Sequence, residues 1–159
     1  MATTAGSVLR DAAVLACQGA TVAAAAGLSA GVWADPAAPR VFGGNGGFIG
    51  GRNRGRLPFV EVAVIDQTFT PVTAELDGDL EQTLVIRCHV GGSVIAEAED
   101  LSELIVSACL VAVRNLGSGL AAVGSDRVSG LQQGPWGHVR EATLTVMQNF
   151  HRDTYEVLP

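Results

Sequence analysis

Lysine is absent from this chain: its ten basic residues are all arginine, and against sixteen acids they leave a net charge of −6. An acidic surface repels phosphate, which argues against DNA or RNA binding by the surface as a whole. A phosphate loop of the GxxxxGK[ST] type is excluded as well, because its lysine is missing. Cysteine is scarce. Cys17, Cys88 and Cys109 fall in apolar-patterned segments with no CxxC or other ligand spacing, and read as small core residues in a reducing compartment. His89, His138 and His151 share no metal spacing with one another or with cysteine. Cys88 and His89 are adjacent on a strand and point to opposite faces, so they cannot act as a pair, and His89 reads as an exposed strand residue. Uninterrupted apolar runs are missing too. Residues 11–34 are apolar-rich but broken by Asp11, Gln18, Thr21 and several glycines and serines, so no membrane partner is expected.

Charged residues make up only 16% of the chain, while 48% is hydrophobic and the mean hydropathy is +0.32. Little charge is left to hold copies apart, so assembly is expected. At 159 residues the chain reads as one domain, 1–159, able to bury a core without disulfides or metal.

The most informative segment is 80–117. Leu80, Gln82, Leu84, Ile86, Cys88 and Val90 alternate with Glu81, Thr83, Val85, Arg87 and His89, the period-two pattern of a strand with one buried face. After Gly91-Gly92-Ser93, residues 97–116 recur at helical spacing. Leu101, Leu104, Ile105, Ala108 and Ala112 form one stripe, and Gly117 stands where a left-handed cap closes a helix. A second stripe, Val106, Cys109, Leu110 and Val113, requires a second cover. The N-terminal helix or a neighbouring copy of the chain would supply it.

A helix is expected over 8–26, capped by Ser7, with Val8, Ala12, Leu15, Ala16 and Val22 as its stripe and Gly27 as its stop. Residues 27–57 form an extended connection, in which 43–56 hold seven glycines and place Arg52, Arg54 and Arg56 on alternate positions after Phe48 and Ile49. A strand at 59–69 turns at Asp77-Gly78 into the strand at 80–90. Short strand pieces at 120–123 and 127–131 precede a half-buried strand at 138–151 and a loose tail, 152–159. The expected fold is α+β: a mixed or antiparallel sheet of about four strands, with the N-terminal and central helices packed on one face and a long Gly-rich loop.

No catalytic constellation emerges. Glu97, Glu99, Asp100 and Glu103 complement the start of the central helix, as helix dipoles favour, and no serine sits in a nucleophile elbow. No cofactor or metal is expected.

The order of elements carries a resemblance. A strand entered through Leu57-Pro58-Phe59-Val60-Glu61-Val62, a turn near Glu75-Leu76-Asp77-Gly78-Asp79, a return through residues 82–93, an A-x-x-L-x-x-L-I helix and a final amphipathic strand follow one another. This resembles the tail terminator (tail-completion, or neck) proteins of long-tailed bacteriophages and gene transfer particles, across residues 57–151. The resemblance implies a structural virion protein. It would form a homohexameric ring that caps the tail tube, stops its growth and docks it to the head–tail connector or stopper, with DNA passing through the lumen unread. It would be made in the host cytoplasm and reside in the virion. The long Gly/Arg loop departs from the shorter loop expected of such proteins and suits a clasp on a neighbour. Phe48, Arg52, Arg54 and Arg56, with Val106, Leu110 and Val113 on the second helical stripe, are the expected subunit or partner contacts. The alternatives are a tail-tube or head–tail stopper subunit and, from another class, a small cytoplasmic ligand-binding domain or enzyme. The last would need a pocket of converging polar groups, for which Arg87, His89 and the acidic helix start are the available material.

Overall fold

The computed structural model describes residues 4–44, 57–71, 77–92, 94–117, 120–134, 137–151 and 156–157. Helices α1 (Ala5–Cys17), α2 (Ala20–Ala25) and α3 (Ala30–Trp33) precede β1 (Val41–Gly44), β2 (Phe59–Pro71) and β3 (Asp77–Val90). Helix α4 (Ile95–Arg114) leads to β4 (Leu120–Val128), β5 (Gln132–Gly134), β6 (Gly137–His151) and β7 (Glu156–Val157). The fold is α+β, with one mixed sheet in the order β1-β2-β3-β6-β4. It has seven strands where about four were expected. The extra ones, β1, β5 and β7, are two to four residues long, too short to register as a period in sequence.

Three long antiparallel strands form the centre. β3 pairs with β2 along one edge, Phe59↔His89 through Pro71↔Gly78, and with β6 along the other, Asp77↔His151 through Val90↔His138. The antiparallel β2–β3 pairing is as expected, but Asp77 and Gly78, expected as its turn, already belong to β3. The expected strands at 59–69, 80–90 and 138–151 match β2, β3 and β6. The fragments at 120–123 and 127–131 are largely one strand, β4, interrupted by a bulge between Val123 and Arg127.

One face of the sheet carries Val60, Val62, Leu84, Ile86, Cys88, Val90, Ala142, Leu144 and Val146, which form the core with the helices. Helix α4 turns Ala98, Ser102, Ile105, Val106, Cys109, Leu110 and Val113 inward. These are mainly the second stripe; of the first, Leu104 stands 59% exposed. Its cap is Asn115 (φ −96°), not Gly117. Asn115 cannot be followed at once by a left-handed glycine, and its side chain instead donates to the Val111 carbonyl at 2.8 Å.

The N-terminal region departs further from expectation. It is two helices separated at Gln18-Gly19, and Thr4 is the cap, its Oγ1 accepting from the Ser7 amide. Leu9, Ala13 and Cys17 point inward, one residue away from the expected stripe, and Leu15 is 72% exposed. An alanine-rich helix has similar side chains on every face, so neighbours decide which face is buried. Gly27 does end α2. Its φ is +72°, and the Gly27 and Leu28 amides donate to the Ala24 and Ala23 carbonyls at 3.0 Å, a Schellman cap.

Within the long connection, α3 places Trp33 with no exposed surface, and its indole Nε1 donates to the Cys17 carbonyl at 2.8 Å. β1 then pairs parallel with β2, Val41↔Val60 through Gly44↔Ala63. A parallel pair needs a connection that runs back along the strand, which accounts for a long segment between Gly44 and Leu57 independently of any partner. Trp33→Ala should lower unfolding stability by about 3–5 kcal/mol, as for other buried large-to-small changes. Trp33→Phe, which keeps the ring but loses the hydrogen bond, should cost about 1 kcal/mol from that bond. Urea denaturation of the two variants checks this ordering.

Candidate functional site

The sheet's second face does not follow the simple polar alternation. Phe59, Glu61 and Ala63 from β2 and Val85 and His89 from β3 are all buried there. The cross-strand partners Phe59 and His89 stack, ring centroids 4.3 Å apart and 12° from parallel, and Phe42 of β1 meets Phe59 edge-on at 6.2 Å. His89 Nε2 lies 3.4 Å from Glu61 Oε2, with the two side chains 7% and 2% exposed. His89 is therefore not the exposed strand residue expected. Arg87, its neighbour on this face, binds Glu141 of β6 through Nε at 2.9 Å and Nη2 at 2.8 Å, in a half-exposed pair. Among the described residues, Glu61 Oε1 has no hydrogen-bond partner. The pair places a carboxylate and an imidazole side by side, and neither residue lines the clefts along residues 64–67, along α4 or beside α1.

On the helix face, the apolar core ends in polar bridges. Gln67 Nε2 donates to Gln82 Oε1 at 2.7 Å, and Gln82 Nε2 donates to Gln148 Oε1 at 2.9 Å, a ladder across β2, β3 and β6. At the opposite end Arg140, 8% exposed, donates through Nε to Ser102 Oγ at 2.9 Å and through Nη1 to the Ser129 carbonyl at 3.1 Å. These tie β6 to α4 and to the segment after β4. Neither Glu61, Gln82, Gln148 nor Arg140 was singled out from sequence. A polar residue at a strand's inward position is the signal that would have found Gln82 and Gln148.

The expected interface residues separate into two groups. Val106, Leu110 and Val113 are 1%, 6% and 1% exposed and lie in the chain's own core, where α1 and α2 pack on α4. They are closed to a neighbouring copy: the second cover is the N-terminal helices. Phe48, Arg52, Arg54 and Arg56 lie outside the described residues. Of the acids at the start of α4, Asp100 and Glu103 line an open cleft of about 360 Å³ with Leu104 and Ser107, apart from Arg87 and His89. Only Glu97 is in the first turn, and Glu99 stands 4.0 Å from Arg140.

The remaining open features are peripheral. A groove of about 420 Å³ is lined by Val8, Ala12, Leu15, Ala16, Leu116, Gly117 and Leu120, all apolar or glycine. A shallower cleft lies along Gly6 and residues 64–67. β4 borders the sheet on one side. On the other, β1 pairs with β2 from Val60 to Ala63. Among the described residues no group of three or more His, Cys, Asp or Glu converges, and no helix is long and apolar enough to cross a membrane. No protein-family model matches the chain, and no curated protein matches it in sequence.

Two outcomes follow from the buried ionisable groups. Burial pushes the Cys88 thiol up to about 12 from an ordinary 9.0, against the opposing pull of Arg140. Above pH 9 the unfolded thiol ionises and the folded one does not, so stability falls as pH rises from 9 towards 12. Cys88→Ala should flatten that slope in urea midpoints taken across this window. His89→Ala removes the buried ring stacked on Phe59 and should destabilise by about 3–5 kcal/mol, the cost of a buried large-to-small change. Glu61→Leu/His89→Phe should recover most of it, as thermal denaturation of the two variants can show.

Proposed function

We propose that the chain is a structural subunit of a long-tailed phage or gene transfer particle, a tail terminator. Its ring caps the tail tube and joins the tube to the head–tail connector, with DNA passing through the lumen. The observation that carries this reading is the order of elements over residues 57–151, a long antiparallel β2–β3 pair, helix α4 and the long strand β6, in one mixed sheet whose helices pack on one face. The low charge and the exposed Leu15, Ile65, Leu104 and Val111 suit surfaces that other chains cover. The element order of residues 57–151 supports the assignment to terminators. An acidic chain without lysine suits a lumen that does not retain DNA. As a virion component it acts by geometry, with no chemical step of its own.

A tail-tube or stopper subunit would share the sheet with its helices on one face and differs in where assembly stops. Native mass spectrometry across a concentration series separates the readings. A terminator gives one closed ring, alone or on addition of tail tubes. Open-ended polymers from the purified chain would identify a tube subunit, and a monomer or dimer indifferent to tubes would overturn the structural reading.

A further inference from the structure

The outer side of α4 is exposed over four turns. Glu97, Asp100, Leu104, Ser107 and Val111 run along one line of the helix, with Glu103 beside it, opposite the residues that face the core. The negative charge on this strip is uncompensated. Acids three residues apart on a helix repel each other. The ion pairs among the described residues are Arg10–Asp11, Arg87–Glu141, His89–Glu61, Arg114–Asp126 and Arg140–Glu99, and none includes Glu97, Asp100 or Glu103. Two large apolar side chains, Leu104 and Val111, stand exposed within the strip. Its complement is a surface that carries a cation among exposed apolar side chains.

Among the described residues, one surface of this chain has that character. Most of the other exposed apolar side chains sit beside acids: Ile65 beside Asp66, Val32 near Asp35, and Val94 and Ile95 before Glu97. Leu15 lies on the helix whose Arg10 and Asp11 already pair with each other. On β4, by contrast, Val123 and Val128 are exposed on either side of Arg127, which is exposed and has no carboxylate within ion-pair distance. The spacing fits as well. Val123 and Arg127 lie opposite Thr145 and Thr143 of β6, so they share a face two rows apart, about 7 Å. Asp100 and Leu104 are about 6 Å apart along the axis of α4. A Val123 set on Leu104 therefore brings Arg127 to Asp100 and Glu103.

We infer that the outer strip of α4 in one copy packs on β4 of the next, Leu104 against Val123 and the Arg127 guanidinium between Asp100 and Glu103. The occupant of each surface is a second copy of this chain, because the two surfaces match in charge, in apolar content and in spacing. They are different patches of one molecule, so the contact is head-to-tail and propagates until rotation closes it. Burying Leu104 and Val123 contributes apolar area, and the opposed charges fix the register and speed the encounter. The inference rests on the ring reading above and names a contact that builds the ring.

Crosslinking and charge exchange test the contact. Cys17, Cys88 and Cys109 are all buried, so thiols placed at exposed positions react alone. Under conditions in which native mass spectrometry shows the ring, Leu104→Cys/Val123→Cys treated with a short bis-maleimide should give a covalent ladder ending at the ring's subunit number. Each single variant should stay uncrosslinked, and an equal mixture of the two should give covalent dimers. Arg127→Glu should raise the concentration needed for assembly about tenfold at low salt, and less at high salt. Asp100→Arg/Glu103→Arg should do the same, and combining all three substitutions should restore assembly. These positions are exposed, so thermal denaturation of each variant should match that of the parent chain. If the ring forms and the double cysteine variant does not crosslink, or a single variant crosslinks to itself, the contact is wrong while the ring stands. If the charge variants assemble normally and fail only to join tail tubes, the strip takes a basic surface of the tube and the contact between copies is wrong. If no ring forms with or without tubes, the terminator reading itself falls.

Discussion

The position of every layer depends on β3 being hydrogen-bonded along both edges for nearly its whole length. β2 and β6 take their register from it, so a slip of one residue would carry Leu84, Ile86 and Cys88 out of the core and bring Glu81 and Arg87 into it. The glutamine ladder adds a polar constraint to the apolar one. Gln82 can satisfy Gln67 and Gln148 together only in the observed register, and burying any of these amides without its partner costs on the order of 1–3 kcal/mol. Cys88 and His89 show the same rigidity from both sides, one buried beneath the helices and the other stacked on Phe59.

A saturated centre moves all unsatisfied backbone to the periphery. Among the described residues β3 is paired on both edges, and β6 pairs on its other side with β5, β4 and β7 in turn, so the bordering strands are β1 on one side and β4, with β5 and β7, on the other. Helix α4 bridges from the end of β3 to the start of β4 and covers β3 and β6 on one face. The N-terminal helices close its second apolar stripe, so the helix layer completes itself within one chain.

The long elements were legible because their burial is periodic. β2, β3, β6 and α4 each repeat an apolar position often enough for the period to stand above the noise, and their order carries the α+β class. β1, β5 and β7 were not legible, since two to four residues hold no period and pair only because a longer strand is already there. The N-terminal helix was placed nearly in range but with its stripe one residue off, since alanine-rich turns carry almost no contrast between faces.

What the sequence alone determined are the properties that local chemistry settles. The missing lysine rules out a phosphate loop, the alternation over 80–90 makes a strand, and the two stripes on α4 demand two covers. Tertiary structure decided which partner supplies each cover. Val106, Leu110 and Val113 went to the chain's own helices, and His89 went inside against Glu61. Periodicity is set by neighbours a few residues away, whereas burial and edge position are set by strands far apart in the chain. Only the folded sheet brings those strands together.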